Sequence, residues 1–495
     1  MKKLLTAICL IFSFSLIFAQ EKEKSEWSRA GMSEVPSQKR PKRPDASRVR
    51  DLDNTDLDGR QKSADILKFG LEDEILELLG KMTERRDERF VDEAYDLYEE
   101  TRSVAVKEGI MNFFKEMEDP CLEDYAIMIL NEPFEESAST VNAAFSYVGT
   151  LKTRDAIPAV EQILESDNEK YYNGAIEALG KIGGSDEAMY LTEYFENEDL
   201  TLPQKQSLVK TLGLLKASET FEKLVEMAEN EDENTFVRMY ASEAIGQIGA
   251  SDSAYSEKAI DSLTDLYKDR DPNLRAYVVK GIANFHGKEA EELLIQAIRD
   301  SHAKVRLEAI SAIRKNAVQS AVPYLVYRAK TDPDTNVKNA CYPAIAELNT
   351  VEGNTYLVEQ LSEKKTGDGA KAKIVAALLE FDHAGNQEVA SLAEEVIFDE
   401  RRKSLRYAIG KEMAKWGRAS YESTCRLYLS SSDVPTQGTA LDIYAKGRYA
   451  SLTPSVRSLA DRASPENKRD ANAIKAAKIL GVDWEKKGSS SSDAK

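Results

Sequence analysis

Apolar residues recur along most of this chain at helical spacing, and that spacing itself repeats. The clearest instance is ASEAIGQIG, Ala241 to Gly249. The same pattern stands upstream in AAFSYVGTL (143–151), AIEALGKIG (175–183) and LVKTLGLLK (208–216). Downstream it returns in VVKGIANFH, AISAIRKNA, CYPAIAELN, IVAALLEFD and AIGKEMAKW. Aligned on Gly246, the equivalent positions are Gly149, Gly180, Gly213, Ala283, Arg314, Ala346, Leu379, Ala414 and Ala445, at gaps of 31 to 37 residues. A first amphipathic helix precedes each one, as in AIPAVEQIL, TFEKLVEMA, AIDSLTDLY, AEELLIQAI and AVPYLVYRA. A period of this length carried by helices alone predicts stacked helical hairpins, because no single hairpin can bury its own apolar stripe. No stretch alternates with period two for long enough to be a strand. The expected fold is all-α, an α-solenoid of about eleven hairpins.

Within each unit the two helices are joined by a short polar turn: SDNEK, NEDEN, DRDPN, RDSHA, TDPDT. Asp, Asn and Ser there are expected to cap the second helix by accepting its free N–H groups. Pro272 and Pro333 restrict the entry to that helix. A small residue stands five positions before several of the aligned sites, at Ala144, Ala175, Ala241, Ala309 and Ala440, and should let neighbouring helices approach closely. The pairs Gly180–Gly183 and Gly246–Gly249 read as helix ends, where a C-terminal cap wants positive φ.

The ends depart from the period. Residues 1–19 read as a secretory signal peptide, with Lys2 and Lys3 before an apolar run closing at Ala19. Residues 20–62 read as a disordered charged linker containing QKRPKRP and then DLDNTDLD. Its basic part, Lys39 to Arg50, is either a solvated linker or a weak contact for anionic envelope components. Helices are expected from Ser63. Stretch 63–100 reads as an atypical capping repeat, an unbroken run of hairpins follows from about 100 to 450, and 450–484 forms a second cap. Residues 485–495 read as a flexible tail. No transmembrane span is expected once the leader is removed.

Formal charge is −19, and −21 without the two lysines of the leader. That balance argues against a nucleic-acid partner. Three cysteines follow the leader, Cys121, Cys341 and Cys425, with no CxxC and no Cys/His cluster, so neither a zinc site nor a disulfide framework is indicated. Histidine is confined to His286, His302 and His383, with His302 read as a solvated turn residue. No GxSxG, phosphate loop or metalloprotease motif is present, and no catalytic, cofactor-binding or metal-ligating residue is assigned.

The sharpest charge pattern is a ladder of cations. Eight residues before the aligned sites stand Lys205, Arg238, Arg275, Arg306, Lys338, Lys371 and Arg406, with Lys107 in the same register further upstream. One reading locks the stack, each cation pairing with a turn acid among Asp232, Asp271, Asp300 and Asp334. The other is a positive stripe for an acidic partner. Tyrosines 171, 172, 324, 327, 342, 421, 428, 444 and 449 add aromatic candidates, densest beside arginine in 400–450. The candidate partner-binding set is Arg238, Arg275, Arg306, Lys338, Arg406, Tyr407, Trp416 and Tyr444.

The segments DRDPNLRAYVVKGIA (269–283), RDSHAKVRLEAISAI (299–313) and NEDENTFVRMYASEAIGQIG (230–249) resemble bacterial HEAT-like repeats of the PBS-lyase type. Each has an acidic turn, Val/Leu-Arg, then Ala and an apolar–Gly or apolar–Ala pair. The resemblance implies a scaffold or adaptor, since most such proteins are that, with a minority acting as lyases or cofactor-attachment factors. The hydroxylases of this type use His-Glu pairs as iron ligands, and no His-Glu dipeptide occurs here. The glycosylases need a basic concave face, against the charge balance here. The expected function is therefore an exported, non-enzymatic scaffold, bacterial and periplasmic or otherwise extracytoplasmic, binding a protein partner along the solenoid surface. Alternatives are a HEAT-like lyase or prosthetic-group attachment factor, and a self-assembling envelope protein.

Overall fold

A computed structural model describes residues 57–484, apart from 167, 197–199, 383–385, 466 and 468. The leader, nearly all of the linker, the tail and His383 lie outside the described residues. The helical residues fall into two compact units that divide after Ser166. No change of period in the sequence marks that division.

In the first unit α1 (Leu57–Phe69) pairs with α2 (Glu72–Arg85), α3 (Val91–Glu100) with α4 (Val104–Glu116), and α5 (Glu123–Asn131) with α6 (Ala138–Leu151), followed by α7 (Ile157–Leu164). The second helices stack in series, α2 on α4 and α4 on α6. Helix α1 begins six residues before the expected start at Ser63. The stretch 63–100 follows the stack from its first pair, with Leu67, Leu79 and Met82 buried.

The second unit opens with α8 (Tyr172–Ile182) and continues with α9 (Ser185–Phe195) and α10 (Leu202–Leu215), α11 (Phe221–Glu229) and α12 (Thr235–Ser251), α13 (Ser256–Leu266) and α14 (Pro272–Ile282). Then come α15 (Lys288–Ala297) and α16 (Ala303–Lys315), α17 (Val322–Thr331) and α18 (Thr335–Leu348), α19 (Val351–Ser362) and α20 (Asp368–Phe381). The last pairs are α21 (Asn386–Val396) and α22 (Lys403–Trp416), α23 (Glu422–Leu429) and α24 (Val434–Gly447), α25 (Thr453–Ala460) and α26 (Ala471–Ile479). Every even-numbered helix from α8 to α26 packs on the next even one. Among the described residues there is no strand.

The repeated small residues explain the close stacking. Ala144, Ala175, Ala241, Ala309 and Ala440 are all fully buried. A Cβ placed on Gly246 would lie 2.3 Å from the Cα of Gly281, so α12 and α14 meet backbone to backbone. This corrects the expectation for the Gly-x-x-Gly pairs: none of Gly180, Gly183, Gly246 and Gly249 has positive φ. Their missing side chains serve helix contact, while left-handed C-terminal positions are filled by Lys152, Lys216, Asn349, Asp382 and Arg448. Turn residues cap as expected. Ser103, Ser137, Asn234, Asp271, Asp334 and Asp433 accept backbone N–H groups at their helix starts.

Candidate functional site

The cation ladder sits at the first turn of the second helices, and from Lys205 to Arg306 each cation reaches the polar turn of the next repeat. In the second unit Lys205 pairs with Glu233. Arg238 donates from Nη2 to Asp269 at 2.9 Å and from Nε to the carbonyl of Ala228, at the end of its own first helix, at 3.0 Å. Arg275 holds Asp300 through Nε and Nη2 at 2.8 and 2.9 Å and donates from Nη1 to the carbonyls of Asp269 and Arg270. Arg306 donates to Asp332 at 2.7 Å and to the carbonyls of Asp300 and Ser301. Each arginine thus clamps carbonyls of its own repeat to a carboxylate of the following one.

Of the four acids expected as partners, only Asp300 takes that role. Asp271 and Asp334 cap their own helices, and Asp232 is exposed, its neighbour Glu233 making the pair. The true partners Asp269, Asp300 and Asp332 stand two residues earlier than the capping residue. Each also accepts the backbone N–H of that capping residue, at 2.7, 2.8 and 3.0 Å. One acid per turn ties repeats together while the next capping residue starts the helix. At the middle turn that capping residue is His302, whose Nδ1 accepts from Lys304 N.

The electrostatics follow. Burial alone would raise the Asp300 carboxyl, but hydrogen bonds from Arg275, the His302 amide and Tyr267 together hold it below the usual carboxylate range. The same carboxylate, as hydrogen-bond partner, raises Arg275 despite desolvation. Arg306 and Asp332 are the most enclosed pair, their side chains 5% and 0% exposed.

A model of the family described as Spirochaete HEAT repeat protein matches residues 67–479. The chain belongs to that family. Solved structures with a similar fold include the complex of CpcE and CpcF of phycocyanin lyase from Nostoc sp. PCC7120, 15% identical over 48% of this chain and 91% of that one, at a TM-score of 0.28. Importin beta is 12% identical over 85% of this chain and 67% of that one, at 0.42. Kap121p is 11% identical over 85% and 53%, at 0.38, so this chain spans about half of its length. No curated protein sequence matches the chain.

Within these HEAT repeats most of the candidate docking residues turn inward. Arg238, Arg306 and Arg406 are buried and Arg275 is half-buried, so a partner cannot reach guanidiniums already committed to the stack. Arg406 is fully buried and donates to the carbonyl of Ile397 at 2.6 Å, with Asp433 at 3.6 Å. Lys371 is buried and bonded to the carbonyl of Leu361, and burial, then the nearby Arg402 cation, lowers its ammonium. Lys338 is half-buried and has no ion-pair partner among the described residues. In the first unit Lys107 lies over the Tyr98 ring, 5.4 Å from its centroid.

The tyrosine reading is corrected in the same way. Tyr421, Tyr428, Tyr444 and Tyr449 are buried. Tyr428 donates to the carbonyl of Arg406 and Tyr449 to that of Arg418, while the Tyr444 hydroxyl meets Thr453. Half-buried Tyr407 donates to Asp433 at 2.9 Å. Tyr171, Tyr172 and Tyr342 are buried as well, leaving Tyr324 and Tyr327 exposed. Trp416 is 40% exposed, with the Arg418 guanidinium 5.3 Å from its ring. Helical periodicity could mark these tyrosines as apolar-face residues; it could not say that their hydroxyls would find carbonyls.

Cys121, Cys341 and Cys425 are buried free thiols. Burial pushes Cys341 and Cys425 up to about 12 and Cys121 further, which leaves them as poor nucleophiles. Among the described residues no group of three His, Cys, Asp or Glu is placed to hold a metal ion. No helix among them is long and apolar enough to cross a membrane.

Proposed function

We propose that the protein is an exported, non-enzymatic scaffold that holds a protein partner on the surface of its HEAT repeats, in the periplasm or an equivalent extracytoplasmic space. One observation carries this reading. The most enclosed charged groups are engaged in the stack: Arg238 and Arg306 bond to Asp269 and Asp332 of the following repeat, and Arg406 donates to the carbonyl of Ile397 in its own repeat with Asp433 of the next at 3.6 Å. Chemistry that an enzyme would aim into a cleft here joins one hairpin to the next, and what the repeats offer to the outside is a long surface. Export rests on the basic start and apolar run of residues 1–19.

The test is co-purification from cross-linked envelope fractions with a tag at the C-terminus. A small set of stoichiometric protein partners supports the scaffold. Recovery of the chain alone, or bound only to itself, sinks it. Mass determination of the purified N-terminus tests export, and retention of residues 1–19 counts against it.

A further inference from the structure

The charge of this chain is not spread evenly. Residues 57–400 contain 37 Lys and Arg against 68 Asp and Glu, net −31. Residues 401–484 contain sixteen against eight, net +8. Several of the acids in this last stretch are held by cations: Glu412 by Lys415, Glu422 by Arg426, Asp442 by Lys475 and Asp470 by Arg462. Of the surplus cations, Arg402, Lys403, Arg406 and Arg418 face acids that precede residue 401, and Lys446, Arg448 and Lys478 are left exposed without an ion pair among the described residues.

Part of that surplus is gathered on one edge. The ends of α22 and α24 meet where Lys446 lies on Gly417, whose missing Cβ would fall 2.3 Å from Lys446 Cγ. The ends of α24 and α26 meet where Arg448 donates to the carbonyl of Ile479 at 3.4 Å. Three successive helix ends thus place Lys415, Arg418, Lys446, Arg448 and Lys478 along a row with Trp416 among them. Lys415 and Arg418 face Glu412 and Asp382. Lys446, Arg448 and Lys478 are exposed and make no ion pair among the described residues. Cations at helix C-termini are favoured by the helix dipole. The dipole does not place a free cation at every end: those of α12, α18 and α20 carry Asp252, Glu347 and Glu380 with Asp382, and the cations at the ends of α14 and α16 are engaged, Arg314 by Glu347, Lys315 by Asn284 and Lys280 over the Tyr277 ring.

We propose that this edge binds an acidic segment of a partner protein in polyproline II conformation, with a carboxylate at every third residue. The inference rests on the scaffold reading and narrows it. Packed helices lie about 8–10 Å apart, so the cations step by that distance from one helix end to the next. A polyproline II chain advances about 9 Å per three-residue turn and returns the same face each turn, so its carboxylates meet the row in register. The exposed face of Trp416 suits a proline ring of such a segment. Beyond the row, net negative charge repels a long polyanion or an anionic lipid surface, whereas a short segment with few carboxylates stays within the positive edge.

The experiment measures fluorescence anisotropy of a labelled dodecapeptide, Glu-Pro-Ser repeated four times, against the full mature chain at low and physiological salt. Controls are the same composition with its glutamates contiguous, and vesicles of phosphatidylglycerol. The expected result is salt-sensitive binding of the periodic peptide, weakened at least tenfold by Lys446→Glu with Lys478→Glu, and less by Trp416→Ala. The neutral pair Lys446→Gln with Lys478→Gln should weaken it to an intermediate degree, with circular dichroism and Tm unchanged in both variants. Equal binding by the double variant, equal binding of the contiguous peptide, or tighter binding to the vesicles overturns the inference. Repeating the co-purification with the double variant separates the two readings. Partners retained by the variant leave the scaffold standing and remove this edge. No partner even for the wild-type chain, with peptide binding intact, removes the scaffold and leaves the edge as a peptide site.

Discussion

Two neighbouring stretches of the second unit use the same register position differently. In the first, the residue six places before each ladder cation is an acid: Asp269 before Arg275, Asp300 before Arg306, Asp332 before Lys338. Each accepts from the cation of the preceding repeat. In the second stretch the equivalent residue, six places before Lys371, is Lys365. There Lys338 has no ion-pair partner among the described residues, and Lys371 binds the carbonyl of Leu361 even though Glu400 stands at the equivalent position one repeat later. The two stretches show that a cation at constant register does not make a clamp. The clamp needs an acid one repeat later, which Lys338 lacks, and it also needs the packing of the helices to bring the two together, which it does not do for Lys371 and Glu400.

The comparison breaks most visibly at the enclosed pair. Arg306→Ala would leave the buried Asp332 with only the longer contact to Arg328 at 3.8 Å, at a cost of about 3 kcal/mol in denaturant unfolding, whereas Lys338→Ala should change stability by less than about 0.5 kcal/mol. Equal losses at the two positions would refute the distinction. Next in size is the helix contact. Gly246→Ala forces a methyl group against the backbone of Gly281 and should cost about 1–3 kcal/mol. In the second stretch Gly369, inside α20 with open space around it, should accept alanine with a gain of up to about 1 kcal/mol.

A third outcome concerns pH. The folded-state value of Asp300 lies below its ordinary value of 3.8, so its contribution is fully present above that value and is lost as pH falls through the lower folded one. Asp300→Asn should therefore lower Tm at pH 7 and differ less and less from wild type below about pH 4. A gap that stays constant across that range would count against the pair. The smallest effect is a repair: Lys365→Asp supplies the missing acid opposite Lys338 and should add about 0.2–1 kcal/mol, as exposed ion pairs do. No gain from Lys365→Asp, but an equal gain from Lys365→Ala, would mean that like-charge repulsion alone distinguishes the stretch.

Much of this could be read along the chain, and the misreadings are instructive. The helical period, the buried alanines and the cation register follow from spacing alone. The partner acids did not, because each turn offers two acids or an acid and a capping residue two positions apart. Asp269 and Asp271 look alike in sequence, yet one reaches the preceding repeat and the other caps its own helix. The tyrosines of 400–450 suggested a docking face, but composition cannot tell a hydroxyl bonded to a neighbouring carbonyl from one in water. The cationic edge was missed for a related reason: Lys415, Lys446 and Lys478 lie roughly thirty residues apart, and only stacked helix ends make them neighbours.

The sequence by itself determined that this is an all-α chain of stacked hairpins, because an apolar stripe recurring every 31 to 37 residues can be buried only against a copy of itself. The tertiary structure alone decided which charges are interior clamps and which remain free. That decision depends on a distance between consecutive repeats, and on whether a carboxylate or an ammonium stands at its far end.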